Sequence, residues 1–200
     1  MEIRKLQLPG DRISARNDTN GDGWTISGLA AVFYNGREET EFVMQRRRDG
    51  RPSLVERIMP GAFDRTLKDR PDVLLLFNHN SDLPLARSPR TLRLWTDRRG
   101  LHYRFDAPDS PNGDNVVEAV RRGDVSGASF GFTVIDEIVR MENELTIREL
   151  HEIALTEISL TSFPAYKKTS AQLGVEGRRS SMEILRARLD LDLLEMEDLR

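Results

Sequence analysis

Cysteine is absent from this 200-residue chain, which excludes disulfides, thiolate nucleophiles and zinc–cysteine sites and fits a reducing compartment. Histidine is scarce: the three copies stand at 79, 102 and 151, so a multi-histidine metal site would consume nearly all of them. A large net charge is missing too. Thirty basic against 33 acidic residues leave a net charge of −3, which removes the bulk electrostatic case for nucleic-acid binding. The cluster Arg46-Arg47-Arg48 is too short to reverse this and reads as a solvated loop. No apolar run approaches the ~20 residues needed to cross a bilayer. The opening Met1-Glu2-Ile3-Arg4-Lys5 lacks the apolar stretch of a signal peptide. No Walker-type phosphate loop is present. The expectation is a soluble, intracellular protein with no metal or nucleotide cofactor and neither a nucleic-acid nor a membrane partner.

What remains is a globular composition, 38% hydrophobic and 32% charged, in a length that suits one domain with a single core. Residues 1–24 read as an arm or loop, rich in turn-formers from Pro9-Gly10-Asp11 to Gly21-Asp22-Gly23. Asp18, Asn20 and Asp22 resemble part of a calcium loop, but the late glutamate and flanking helices of that motif are missing. Short apolar or alternating runs predict strands at 28–34, 56–59 and 73–77, a hairpin from 91–95 to 101–105, and further strands at 126–135, 149–154 and 156–161. Two helices are predicted, over 62–68 and over 115–122 with Gly123 as the stop. Many short strands with few helices argue for a β-rich α+β domain, spanning 25–173. From 174 the composition changes to a linker, Gly177-Arg178-Arg179-Ser180-Ser181, and then an amphipathic helix over 182–199.

Two features carry chemistry. Ser126 and Ser129 lie in or beside the strand-like run Val125-Ser126-Gly127-Ala128-Ser129-Phe130-Gly131-Phe132, and His79 sits between two asparagines just after the run 73–77. A hydroxyl and an imidazole are the minimum parts of an activated nucleophile. Residues 126 and 129 fall on opposite faces of a strand, so only one of them can line a site. His79 also suits a plain turn at a strand end, and His102, within an alternating strand, suits a half-exposed position.

In order along the chain, Glu56-Arg57-Ile58-Met59-Pro60-Gly61-Ala62-Phe63, then His79, then Gly123-Asp124-Val125-Ser126-Gly127-Ala128-Ser129-Phe130-Gly131-Phe132, then Thr156-Glu157-Ile158-Ser159-Leu160-Thr161-Ser162-Phe163-Pro164-Ala165-Tyr166 resemble the HK97-like prohead proteases of tailed bacteriophages. The resemblance covers roughly residues 28–169. It implies a serine endopeptidase that cuts the scaffold segment from the major capsid protein, and also itself, inside the procapsid in the host cytoplasm. It implies a barrel of mostly antiparallel strands flanked by helices, like that of the herpesvirus assembly proteases. The partners so implied are the major capsid protein with its scaffold segment, with self-association as a further expectation.

Carried over position by position, the resemblance puts the base on His79, the nucleophile on Ser129 and the group that orients the histidine on Glu157. His151 competes with Glu157, because the herpesvirus relatives use a second histidine as third member. Such a set works because serine must pass its proton to a base as it attacks, imidazole is largely neutral near pH 7, and a third group fixes the tautomer. Backbone amides near Ser129, between Gly127 and Gly131, are the candidate oxyanion donors. Two rival readings stand beside this one: a non-catalytic β-barrel structural protein of a phage particle, and a peptidase that cuts only itself.

Overall fold

Small and large residues alternate along Ser129-Phe130-Gly131-Phe132, and that alternation splits a strand into two unlike faces. In the structure, a computed structural model that describes residues 2–6, 14–17, 23–69 and 72–162, Ala128, Phe130 and Phe132 join the apolar core. Gly127, Ser129 and Gly131 occupy the opposite face, and Ser129 is fully buried there. The calcium-like residues Asp18, Asn20 and Asp22 lie outside the described residues. So do the linker and C-terminal helix expected after residue 174.

The elements in order are β1 (Glu2–Leu6), β2 (Ser14–Asn17), β3 (Trp24–Val32), β4 (Phe42–Arg46), β5 (Pro52–Ile58), α1 (Asp64–Lys68), β6 (Leu74–Phe77), β7 (Asn80–Arg87), β8 (Leu92–Thr96), β9 (Gly100–Asp106), α2 (Pro111–Arg122), β10 (Gly127–Glu142) and β11 (Leu145–Thr161). The larger sheet runs β1-β10-β11-β5-β4, with β6 also paired to β11 and β7 to β6; the smaller runs β2-β3-β9-β8. Most pairings are antiparallel, but β11 pairs in parallel with both β5 and β6. The architecture is β-rich α+β, as the sequence predicts. A closed barrel is not seen: among the described residues the strands form two sheets that close no ring. Two faces of different sheets enclose the core in its place. Ile26, Leu101, Tyr103 and Phe105 of the smaller sheet meet Phe130, Phe132, Ile158 and Leu160 of the larger, with Val116, Val117 and Val120 of α2 in the same cluster.

Local chemistry accounts for the elements. The Ser110 hydroxyl accepts from the Gly113 N–H at 3.3 Å and Pro111 opens α2, while Gly123 ends it in the left-handed region at φ 78°. The arm expected over 1–24 carries β1 and β2, each bound to a sheet. The strands expected at 149–154 and 156–161 are one strand, β11, interrupted by a bulge. Gly131 pairs with Glu157 but Phe132 with Leu155, so Thr156 is the extra residue, and its hydroxyl donates to the Gly131 carbonyl at 2.8 Å. The α1 segment braces this irregularity: the Thr66 hydroxyl donates to the Ile153 carbonyl at 2.9 Å and accepts from the Leu155 N–H at 3.2 Å.

Candidate active site

The polar face of the larger sheet builds the site. Along β11, Ile158 and Leu160 face the core, which leaves Glu157, Ser159 and Thr161 on the other side, and all three are buried. Ser159 is the direct cross-strand partner of Ser129, and Glu157 that of Gly131. Directly paired residues of antiparallel strands share a face. Ser129, Glu157 and Ser159 therefore project from one surface, with about 4.8 Å between strand axes. The bulge at Thr156 lies immediately before Glu157, and bulges commonly re-aim a side chain in this way.

His79 reaches this surface from a turn. Phe77 pairs with Asn80 across a two-residue hairpin loop joining β6 and β7, and both loop residues have positive φ, 50° at Asn78 and 60° at His79. That pattern is the one favoured between twisted antiparallel strands, and Asn and His are among the residues that best tolerate it. Three hydrogen bonds pin the loop to the end of β11. The Asn78 N–H donates to the Leu160 carbonyl at 2.8 Å, the His79 N–H donates to the Ser159 hydroxyl at 3.2 Å, and Asn78 Oδ1 accepts from the Ser162 N–H at 3.2 Å.

So held, the imidazole places Nδ1 2.6 Å from Glu157 Oε1. A carboxylate only accepts, so the shared proton sits on Nδ1 and the lone pair of the neutral ring is on Nε2. Nε2 is buried and has no hydrogen-bond partner among the described residues. The Glu157 side chain is 9% exposed and that of His79 20%, so water screens the pair little.

The other candidates lie elsewhere. His151 is six residues before Glu157 on β11, about 20 Å along the strand, and its Nε2 lies 3.9 Å from Glu149 Oε2. His102 stacks on Trp95 in the smaller sheet, with ring centroids 5.3 Å apart, and lies 3.0 Å from Asp97 Oδ1. Ser126 precedes β10 and is half-buried. The strand amides near Ser129 are flanked on both sides, by β1 with Lys5 opposite Ser129 and by β11. They point within the sheet plane toward those neighbours rather than out of the face where a serine oxyanion would form. Ser159 is a residue that sequence reasoning did not single out. Its signal was the recurrence of polar residues at 157, 159 and 161 inside an apolar run. Among the described residues no cluster of His, Asp and Glu is arranged to hold a metal ion, and no helix is long and apolar enough to cross a membrane.

The family model of the caudovirus prohead serine proteases matches residues 12–184, most of the chain. The chain belongs to that family. It is thus a serine protease of phage capsid maturation, and the non-catalytic reading is set aside. Among solved structures, the bacteriophage T4 capsid assembly protease is similar at 14% identity, covering 80% of this chain and 97% of its own, with a TM-score of 0.46. No curated protein matches.

Proposed function

We propose that this prohead protease cuts peptide bonds through an acyl-enzyme formed on Ser129, with His79 as the base and Glu157 as the group that orients it. The reading rests on the 2.6 Å contact between His79 Nδ1 and Glu157 Oε1, made over the same sheet face that carries Ser129. As the Ser129 Oγ attacks the scissile carbonyl carbon, its proton passes to Nε2, and the carbonyl π electrons move to the oxygen. Glu157 stabilises the imidazolium so formed. The proton then passes from Nε2 to the leaving amine as the C–N bond breaks. A water molecule, deprotonated by the same nitrogen, releases the acyl group and restores the serine. The mechanism requires the Ser129 hydroxyl to come within hydrogen-bond reach of Nε2, which has no partner among the described residues, when substrate is bound.

The substrate in this reading is the scaffold segment of the major capsid protein, cut inside the procapsid within the host cytoplasm, with self-cleavage as a second reaction and self-association as a further property. A kinship with the herpesvirus assembly proteases belongs to the same proposal. Co-expression with the major capsid protein tests it. Wild-type enzyme shortens the capsid protein on a gel, whereas Ser129→Ala leaves it at full length while keeping the wild-type circular dichroism spectrum. Processing by the alanine variant at the wild-type rate would remove Ser129 from the mechanism. Intact mass spectrometry of aged active enzyme checks the second reaction, since an unshortened chain would exclude self-cleavage.

A further inference from the structure

We infer that Ser159 is a positioning residue for the catalytic histidine: its hydroxyl anchors the backbone of the turn that delivers the imidazole to Glu157 and toward Ser129. The inference rests on the proposed roles of His79, Glu157 and Ser129. Three observations carry it. Ser159 is fully buried. Its Oγ accepts the His79 N–H at 3.2 Å. It is also the direct cross-strand partner of Ser129 and stands two residues from Glu157 on the same face.

The anchor matters because of the conformation it holds. His79 sits at φ 60°, a conformation that the two-residue loop favours and that histidine tolerates better than most residues with a side chain, but one that other backbone wells still compete with unless the turn is held. In a two-residue hairpin loop the N–H of the second residue has no ladder partner of its own, so an acceptor must come from outside the hairpin. Ser159 supplies that acceptor from the neighbouring strand. The sheet register that aligns Ser159 with Ser129 thereby also fixes where the imidazole stands relative to the nucleophile. A methyl group at 159 would keep the burial and lose the acceptor, leaving a half-buried N–H unsatisfied and the turn free to relax away from β11.

The test compares Ser159→Ala with Ser159→Thr, which keeps the hydroxyl, using a peptide carrying the cleavage site and the full chain. Ser159→Ala is expected to lower kcat by about 10- to 100-fold, the range that follows from misplacing a reacting group by a fraction of an ångström to one ångström, with KM within about threefold of the wild-type value, and Ser159→Thr to restore most of the rate. The second readout is the His79 ring N–H proton, followed by NMR in Ser129→Ala protein so that the chain does not digest itself. Its hydrogen-bonded downfield signal should shift or broaden when Ser159 becomes alanine and persist with threonine. A merely structural serine would lower the melting temperature and leave both readouts alone. If Ser159→Ala fails to fold, Ser159→Cys, close in volume but a poor acceptor, takes its place under the same criteria. A rate within threefold of wild type together with an unchanged ring signal overturns the inference, and so does a threonine variant that folds yet works no better than alanine. Full activity in Ser129→Ala enzyme would instead overturn the catalytic reading on which the inference stands.

Discussion

A carboxylate 2.6 Å from Nδ1 holds the proton of the neutral His79 ring on that nitrogen, so the identity of the partner decides which tautomer the ring adopts. Glu157→Gln keeps the shape but adds an amide N–H₂, which donates to Nδ1 and favours the tautomer with its proton on Nε2, where it cannot accept from Ser129. The expected outcome is a kcat lower by roughly 10²- to 10⁴-fold with KM nearly unchanged, the scale of the equivalent change in a serine-protease triad. His151→Ala is expected to keep the wild-type rate, because its ring is about six residues of strand away. Steady-state kinetics on the two variants checks both, and the reverse ranking would return the third role to His151. At this scale the candidate residues were legible. His79 and Glu157, which the structure brings within 2.6 Å, and Ser129, on the sheet face that carries Glu157, could be nominated because each is a chemically distinct residue in a recognisable local motif. Ser159 was not, since a serine acting through its acceptor lone pairs looks in sequence like any small strand residue.

Elements were legible where one force dominates. The run Leu74–Phe77 is continuously apolar, the 92–106 hairpin and α2 each carry an apolar period, and α2 also has its Ser110 cap and Gly123 stop. Gly123 allows a sharp check. A Cβ built there meets nothing within 4 Å while φ is 78°, so a substitution is penalised by backbone conformation alone. Gly123→Ala should cost about 1 kcal/mol, and Gly123→Asn less, because asparagine tolerates the left-handed region. Urea unfolding would show it, and equal midpoints for glycine and alanine would contradict the argument. Elements were missed where apolar alternation gives way to charge. The distal parts of β10 and β11 are held by ion pairs, Arg148 with Glu56 and Glu137 and Arg140 with Glu149, so the strands outrun the period that would reveal them. Strand β7 contains Asp82 and Pro84 and reads as loop, although the four residues of β6 pair with it across two register shifts. The split expected near Leu155 marks a real event, the Thr156 bulge, whose effect is to offset the register rather than to end the strand.

At the scale of the whole molecule, the open sheet has a consequence that a closed barrel would have hidden. Strand β1 covers β10 only as far as Phe132, so among the described residues the stretch from Thr133 to Glu142 pairs with β11 on one side and with nothing on the other. On that stretch Ile135, Ile138, Val139 and Met141 are each at least half exposed. Unpaired backbone beside exposed β-branched side chains is a template for strand addition between molecules. Lysine on such an edge opposes pairing through charge and through the desolvation of its ammonium group. The double change Ile138→Lys with Val139→Lys should therefore lower light scattering on heating or concentration. It should leave the melting temperature nearly unchanged, because surface positions of this kind contribute within about 0.5 kcal/mol. Ser129 and Glu157, on which the proposed mechanism rests, lie on the part of the sheet flanked by β1 and β6, so peptide cleavage should survive the same double change. Scattering identical to wild type in the lysine variant would show that the β10 edge is not where the molecules meet.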